Sequence, residues 1–211
     1  APPADRAARL AQVADVGSLE VNNLNWGLED HLRAGSRDAE LIYVPLDELR
    51  AEIERAYGEG LNSEAFTTAR LYYVANGRLL HDSAGELEAL RTLLAQYPEP
   101  TRRLLLRSHP DLLRIYLKHL RLAQARGDLL SVQQRRYTVQ AVFFNLLFAL
   151  NRRYHPGEKR LLIHGERCPL RPAELMARWS RAARLSADDP ELAATLAGLV
   201  DDLCSLIESN E

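Results

Sequence analysis

The sequence predicts an α+β chain that is mostly α. A small sheet comes first and a helical bundle follows it. Three observations predict this class. Leu, Ala, Arg and Glu dominate the composition, which favours helix. Strand-like alternation is confined to the stretch before Pro45, and the chain beyond it reads as helix after helix. Residues 141–150, AVFFNLLFAL, form an apolar run broken only by Asn145, and a helix that is apolar on every side is a central one.

Residues 1–15 read as a short helix with Leu10 and Val13 inward. Residues 16–21 alternate enough for a strand, with Gly17-Ser18 at its start. Residues 22–37 are polar and mixed. They contain Trp26 and a short helix expected at 28–32, and Gly35-Ser36 marks a turn. Residues 38–44 are the best strand, ended by Pro45. Asp47 caps a helix over 48–57, with Leu49 and Ile53 inward, and Gly58 and Gly60 close it. Ser63 is placed to cap a helix over 64–75, stopped by Asn76-Gly77. Residues 79–82 read as extended, and 86–96 as helix ended by Pro98. Pro110 splits the next stretch into helices at 101–108 and 111–126. Asp128 caps a long helix from 129 to 154, and a cap is the better reading of this carboxylate than a base. Pro172 starts a helix to about 185. Ser186 or Asp188 starts the last, to about 207. The expected domains are 1–60, a small α/β piece, and 61–211, a helical bundle, with a second candidate boundary at 82–85.

At 211 residues, 46% hydrophobic and 27% charged, the chain is long enough for a real core and too apolar for disorder. Its two cysteines, Cys168 and Cys204, make neither a disulfide framework nor a metal-type spacing, and read as plain thiols of a reducing compartment. No apolar stretch reaches membrane-spanning length and no signal peptide opens the chain, so a cytoplasmic protein without a membrane partner is expected. The first residue is Ala1 rather than Met, as in a processed product or a fragment. Net charge is −2, but residues 101–160 carry 13 Lys and Arg against 3 Asp and Glu. A basic middle between acidic flanks points to an anionic partner, or to halves that attract each other.

The candidate site follows the apolar run. Asn151, Arg152, Arg153, Tyr154 and His155 come next, Pro156-Gly157 reads as the helix stop, and Glu158, Lys159 and Arg160 complete the cluster. A rigid buried rod thus delivers donors, an acid and a titratable ring to one point. The structural alternative is that last-turn arginines answer the helix dipole and Pro-Gly is ordinary punctuation.

Several wordings together carry a family resemblance. They are Phe66-Thr67-Thr68, Leu80-His81-Asp82 with Gly85, Gln96-Tyr97-Pro98, Arg126-Gly127-Asp128, and above all residues 148–152 (FALNR) with 155–160 (HPGEKR). From about Trp26 onward the chain resembles nucleotidyltransferase-like proteins with the domain of unknown function DUF4037. These are relatives of the aminoglycoside nucleotidyltransferases in the DNA polymerase β superfamily. The resemblance implies a metal-dependent transfer of a nucleotidyl group from a nucleoside triphosphate to an acceptor that the sequence does not name. Two Mg2+ ions would be held by clustered carboxylates. On this resemblance the small sheet is a partial nucleotidyltransferase-type sheet and residues 61–211 are the substrate-binding domain. Glu40, on the strand at 39–44, matches the third of those carboxylates and is the expected catalytic metal ligand. Glu158 and His155 are the candidates for general base. Asn151, Arg152, Arg153, Lys159 and Arg160 are expected to bind the triphosphate or position the acceptor.

The chain departs from the pattern at its start. Gly17-Ser18 has Glu29 and Asp30 at a suitable distance, but not as an alternating pair on a strand. Two of the three expected metal carboxylates are missing, and their turn would lie upstream of Ala1. The chain is therefore expected to be inactive alone. The competing reading is a non-catalytic helical module that binds a nucleotide or a protein. Nucleic acid is disfavoured because the basic stretch has few interleaved aromatics. Exposed sheet edges would favour a homo-oligomer. The transferase reading further expects the basic cluster to look into a groove whose opposite wall holds Glu40.

Overall fold

The computed structural model describes residues 3–15, 17–24 and 27–210. Val16 and Trp26, named in the strand and helix expectations, lie outside the described residues. The fold is α+β and mostly α: a three-stranded antiparallel sheet precedes a helical region. The chain divides into two compact units, Ala1–Glu52 and Ile53–Glu211.

The first unit opens with α1 (Pro3–Leu10). It is followed by β1 (Glu20–Leu24), β2 (Gly27–Ala34) and β3 (Arg37–Tyr43), paired in the order β1-β2-β3. The helix expected at 28–32 is instead the middle strand. It is paired on both edges, with Val21 opposite Asp30 and Asp30 opposite Leu41. Burial alternates along β2, with Asp30 and Leu32 inward. The alternation is invisible in the sequence because one inward position carries a charge. Arg6 of α1 neutralises it. Its Nε donates to Asp30 Oδ2 at 2.9 Å, and Nη2 donates to Asp30 Oδ1 and to the Asn22 carbonyl, both at 3.1 Å. The Arg6 hydrogen bonds hold the Asp30 carboxyl below the ordinary carboxylate range, against the pull of burial. Asp30 is thus an internal ion-pair partner, not a metal ligand in waiting.

The α2 helix (Leu46–Tyr57) crosses the division between the units. The second unit continues with α3 (Ala69–Asn76), α4 (Glu86–Leu93), α5 (Glu99–Ala125), α6 (Leu129–Leu150), α7 (Leu161–Glu166), α8 (Leu175–Arg184) and α9 (Pro190–Glu208). Residues 79–82 form no strand. The α6 helix is the centre. Residues 141–150 are buried without exception. Phe143 and Phe144 meet Trp179 of α8 at ring distances of 5.2 and 5.6 Å. From α9, Leu192, Leu196, Leu199, Leu203 and Ile207 join the same core. Asp128 caps α6, accepting from the Ser131 amide at 3.1 Å.

Pro110 does not split α5, contrary to expectation. The helix runs through it because Leu105, Leu106, His109, Leu113, Leu117 and Leu120 keep one face buried on both sides of the proline. That packing outweighs an interior-proline cost of about 3 kcal/mol. The α3 helix, expected from Glu64, starts only at Ala69. Asn145 explains both this delay and its own place in the apolar run. Its Oδ1 accepts from the Thr67 amide at 3.2 Å and its Nδ2 donates to the Ser63 carbonyl at 3.0 Å. His109 Nε2 reaches that same carbonyl at 3.1 Å. The segment before α3 is therefore held out of helix by side chains of the core.

Cys168 and Cys204 are buried free thiols. Among the described residues, no helix is long and apolar enough to cross a membrane.

Candidate functional site: a cationic pocket at the end of α6

The α6 helix ends at Leu150, four residues before the expected stop. The Arg153 amide donates to the Phe148 carbonyl at 2.9 Å and the Arg152 amide to the Ala149 carbonyl at 3.1 Å. This pair of bonds is the Schellman termination, with Arg152 in the left-handed position at φ 51°. A non-glycine residue costs roughly 1–2 kcal/mol there. Nothing in the local sequence announces it, so the Pro156-Gly157 pair looked like the stop. The reversal brings Arg152 and Arg153 to the rim of a cavity of about 310 Å3.

Three arginines line this cavity: Arg152, Arg153 and Arg167. His164 joins them from α7, a six-residue helix the sequence reading missed. Tyr72 and Asn76 come from α3, one helical turn apart, and the rings of Phe148 and Tyr154 complete the wall. Among the described residues, no carboxylate lines it. Arg152 pairs with Glu99 outside the lining, whereas no ion pair engages Arg153 or Arg167 among the described residues. Partial burial pushes the His164 imidazole down from its ordinary value, and Arg167, Arg153 and Arg160 add to that push. The neutral form of His164 is thus favoured by the positive field around it, and its ring meets Tyr72 edge to face at 5.8 Å.

The other cluster residues fare differently. Asn151 is committed internally. Its Nδ2 donates to the carbonyls of Leu147 and Leu170, each at 2.8 Å, and its Oδ1 accepts from the Leu170 amide at 2.9 Å. Tyr154 contributes only its ring, because its hydroxyl donates to the carbonyls of Leu94 and Gln96 at 3.1 Å. His155 is 1% exposed and lies edge-on against Phe66 and Phe148. Its Nδ1 accepts from the Gly157 amide at 3.1 Å, and Nε2 has no partner among the described residues. Burial pushes its pKa down to about 4. A ring so enclosed is a neutral core residue, out of reach of a substrate proton. Glu158, Lys159 and Arg160 are exposed and do not line the cavity.

Glu40 belongs to the first unit and the basic cluster to the second. On the sheet, Glu40 stands opposite His31, which stands opposite Glu20. His31 Nε2 lies 2.8 Å from Glu29 Oε1. The Ser18 hydroxyl of the Gly-Ser turn donates to the Asp15 carbonyl at 2.8 Å and accepts from the Arg33 amide at 3.1 Å. Among the described residues, no group of three or more His, Cys, Asp and Glu is arranged to hold a metal ion. The donor set around Glu40 therefore does not fit the Mg2+ pair that the resemblance implies.

Fold and site together define a helical unit with an acid-free, arginine-lined pocket walled by aromatic rings. Residues 64–161 match the family model described as a domain of unknown function (DUF4037). That match spans the pocket residues from Tyr72 to Tyr154 and stops short of His164, Arg167 and the whole sheet unit. No curated protein and no solved structure matches the chain.

Proposed function

We propose that the helical unit is a binding module for a phosphate-bearing ligand of the nucleotide class, seated in the pocket at the end of α6. The observation that carries this reading is the pair Arg153 and Arg167. Both are exposed, both line the cavity, and neither has a carboxylate partner among the described residues. Guanidinium groups fork onto phosphate oxygens with charge-assisted hydrogen bonds. Tyr72 and Tyr154 supply aromatic rings to the lining for a base to pack against. The cavity volume falls at the lower end of the range for small-molecule sites.

The fuller reading is transfer of a nucleotidyl group from a nucleoside triphosphate to an acceptor, with Mg2+. It rests on the family resemblance alone. The donor set around Glu40 gives it no support, so binding without catalysis is the preferred function for this chain. Titration of ATP in EDTA and then in Mg2+ separates the two. The binding module holds ATP without metal, and α-labelled nucleotide passes to no acceptor. Binding that demands Mg2+ would favour the transferase.

A further inference from the structure

We infer that Glu99 is a specificity-determining residue, an internal competitor that latches the Arg152 corner of the pocket against all but polyphosphate chains. This rests on the reading that the pocket takes phosphate. Of the three pocket arginines, only Arg152 is matched by a carboxylate among the described residues. Its Nε donates to Glu99 Oε1. Glu99 sits in the first turn of α5 directly after Pro98, where the helix dipole favours a carboxylate. Its second oxygen lies 3.8 Å from Arg102 Nη1. Glu99 is therefore steadied from behind by Arg102 and the helix start, and it reaches Arg152 from outside the cavity lining.

The pocket arginines are in this way unequal. Arg153 and Arg167 stand ready for a first phosphoryl group. Arg152 is reached only by exchanging Glu99 for a ligand oxygen. The pair is part-exposed, with Arg152 at 56% and Glu99 at 40%, and such pairs are weak enough to be displaced. A single phosphate satisfies the two open arginines and leaves the latch closed. A longer chain carries the additional charge that takes Arg152 from Glu99.

The test is a ladder of inorganic phosphate, pyrophosphate and tripolyphosphate, titrated at fixed ionic strength into the wild-type chain and Glu99→Gln. The variant should tighten tripolyphosphate by roughly 2- to 5-fold, as expected for release of an exposed ion pair. Inorganic phosphate should change by less than that. In an Arg152→Ala background the same substitution should lose its preference for the longer chain. Equal tightening of all three anions, or none, would overturn the latch while leaving the pocket reading intact. Failure of the wild-type chain to bind any of the three would overturn both.

Discussion

Asn151 grips Leu170 at both ends of one peptide-like pairing, donating to its carbonyl at 2.8 Å and accepting from its amide at 2.9 Å. The grip ties the end of α6 to the chain just beyond α7. It thereby fixes the distance between the arginines that follow α6 and the His164 and Arg167 pair. Asn151 shapes the site without facing it.

Asn151→Ala should therefore cost about 1–3 kcal/mol, because it leaves the Leu170 amide and carbonyl unpaired at a part-buried position. Urea denaturation measures this loss. Phosphate affinity should fall with it even though no ligand-contacting group has been removed.

Asn145 makes the corresponding test of the core. Asn145→Leu keeps the branched skeleton, with methyls somewhat larger than the amide groups, but strands the Thr67 amide, while His109 still serves the Ser63 carbonyl. The expected destabilisation is about 1–3 kcal/mol. Amide exchange at Thr67 should accelerate beyond the global change, whereas exchange within α6 should rise only by the loss of global stability.

Gly157 answers a steric question. A Cβ there would meet the Tyr73 hydroxyl at 2.3 Å, and its φ of +88° disfavours any side chain. Gly157→Ala should destabilise by about 1–2 kcal/mol, mainly from backbone strain, because the exposed Tyr73 side chain can swing its hydroxyl aside. Adding Tyr73→Phe should recover only a small part of that loss. Thermal melts of the single and double variants give the coupling.

One part of the pH dependence of binding follows from His164. Burial and three nearby guanidinium groups hold its pKa below the ordinary value in the free protein. A bound anion cancels part of that positive field and raises the pKa. The bound state then holds more proton on His164, so this residue's contribution to affinity rises as pH falls through the bound-state pKa and levels off below the free-state value. Tripolyphosphate itself takes up protons in the same range, so the contribution is read as the difference between wild-type and His164→Gln titrations, and the wild-type chain should gain on the variant as pH falls.

The central helix was legible because an apolar run needs no partner to be read. The best strand, β3, was legible through its alternation. β2 was not, since its inward Asp30 makes sense only once Arg6 lies on it. Pro110 misled because the face it interrupts is buried on both sides, a tertiary fact. Half the pocket lining was visible as Phe148, Arg152, Arg153 and Tyr154. Tyr72 and Asn76, and His164 and Arg167, had only their helical spacing to offer. They meet the first pair through the fold, and the reversal that aims Arg152 is a left-handed arginine that no local pattern marks.

The most direct measurement is calorimetric titration of tripolyphosphate, at low salt, into the wild-type chain and the Arg153→Ala/Arg167→Ala variant. Each charge-assisted contact is worth about tenfold or more in affinity. The double variant should lose about a hundredfold in affinity, with helical content preserved. Equal affinity in the two proteins would contradict this reading and remove the pocket as the seat of function.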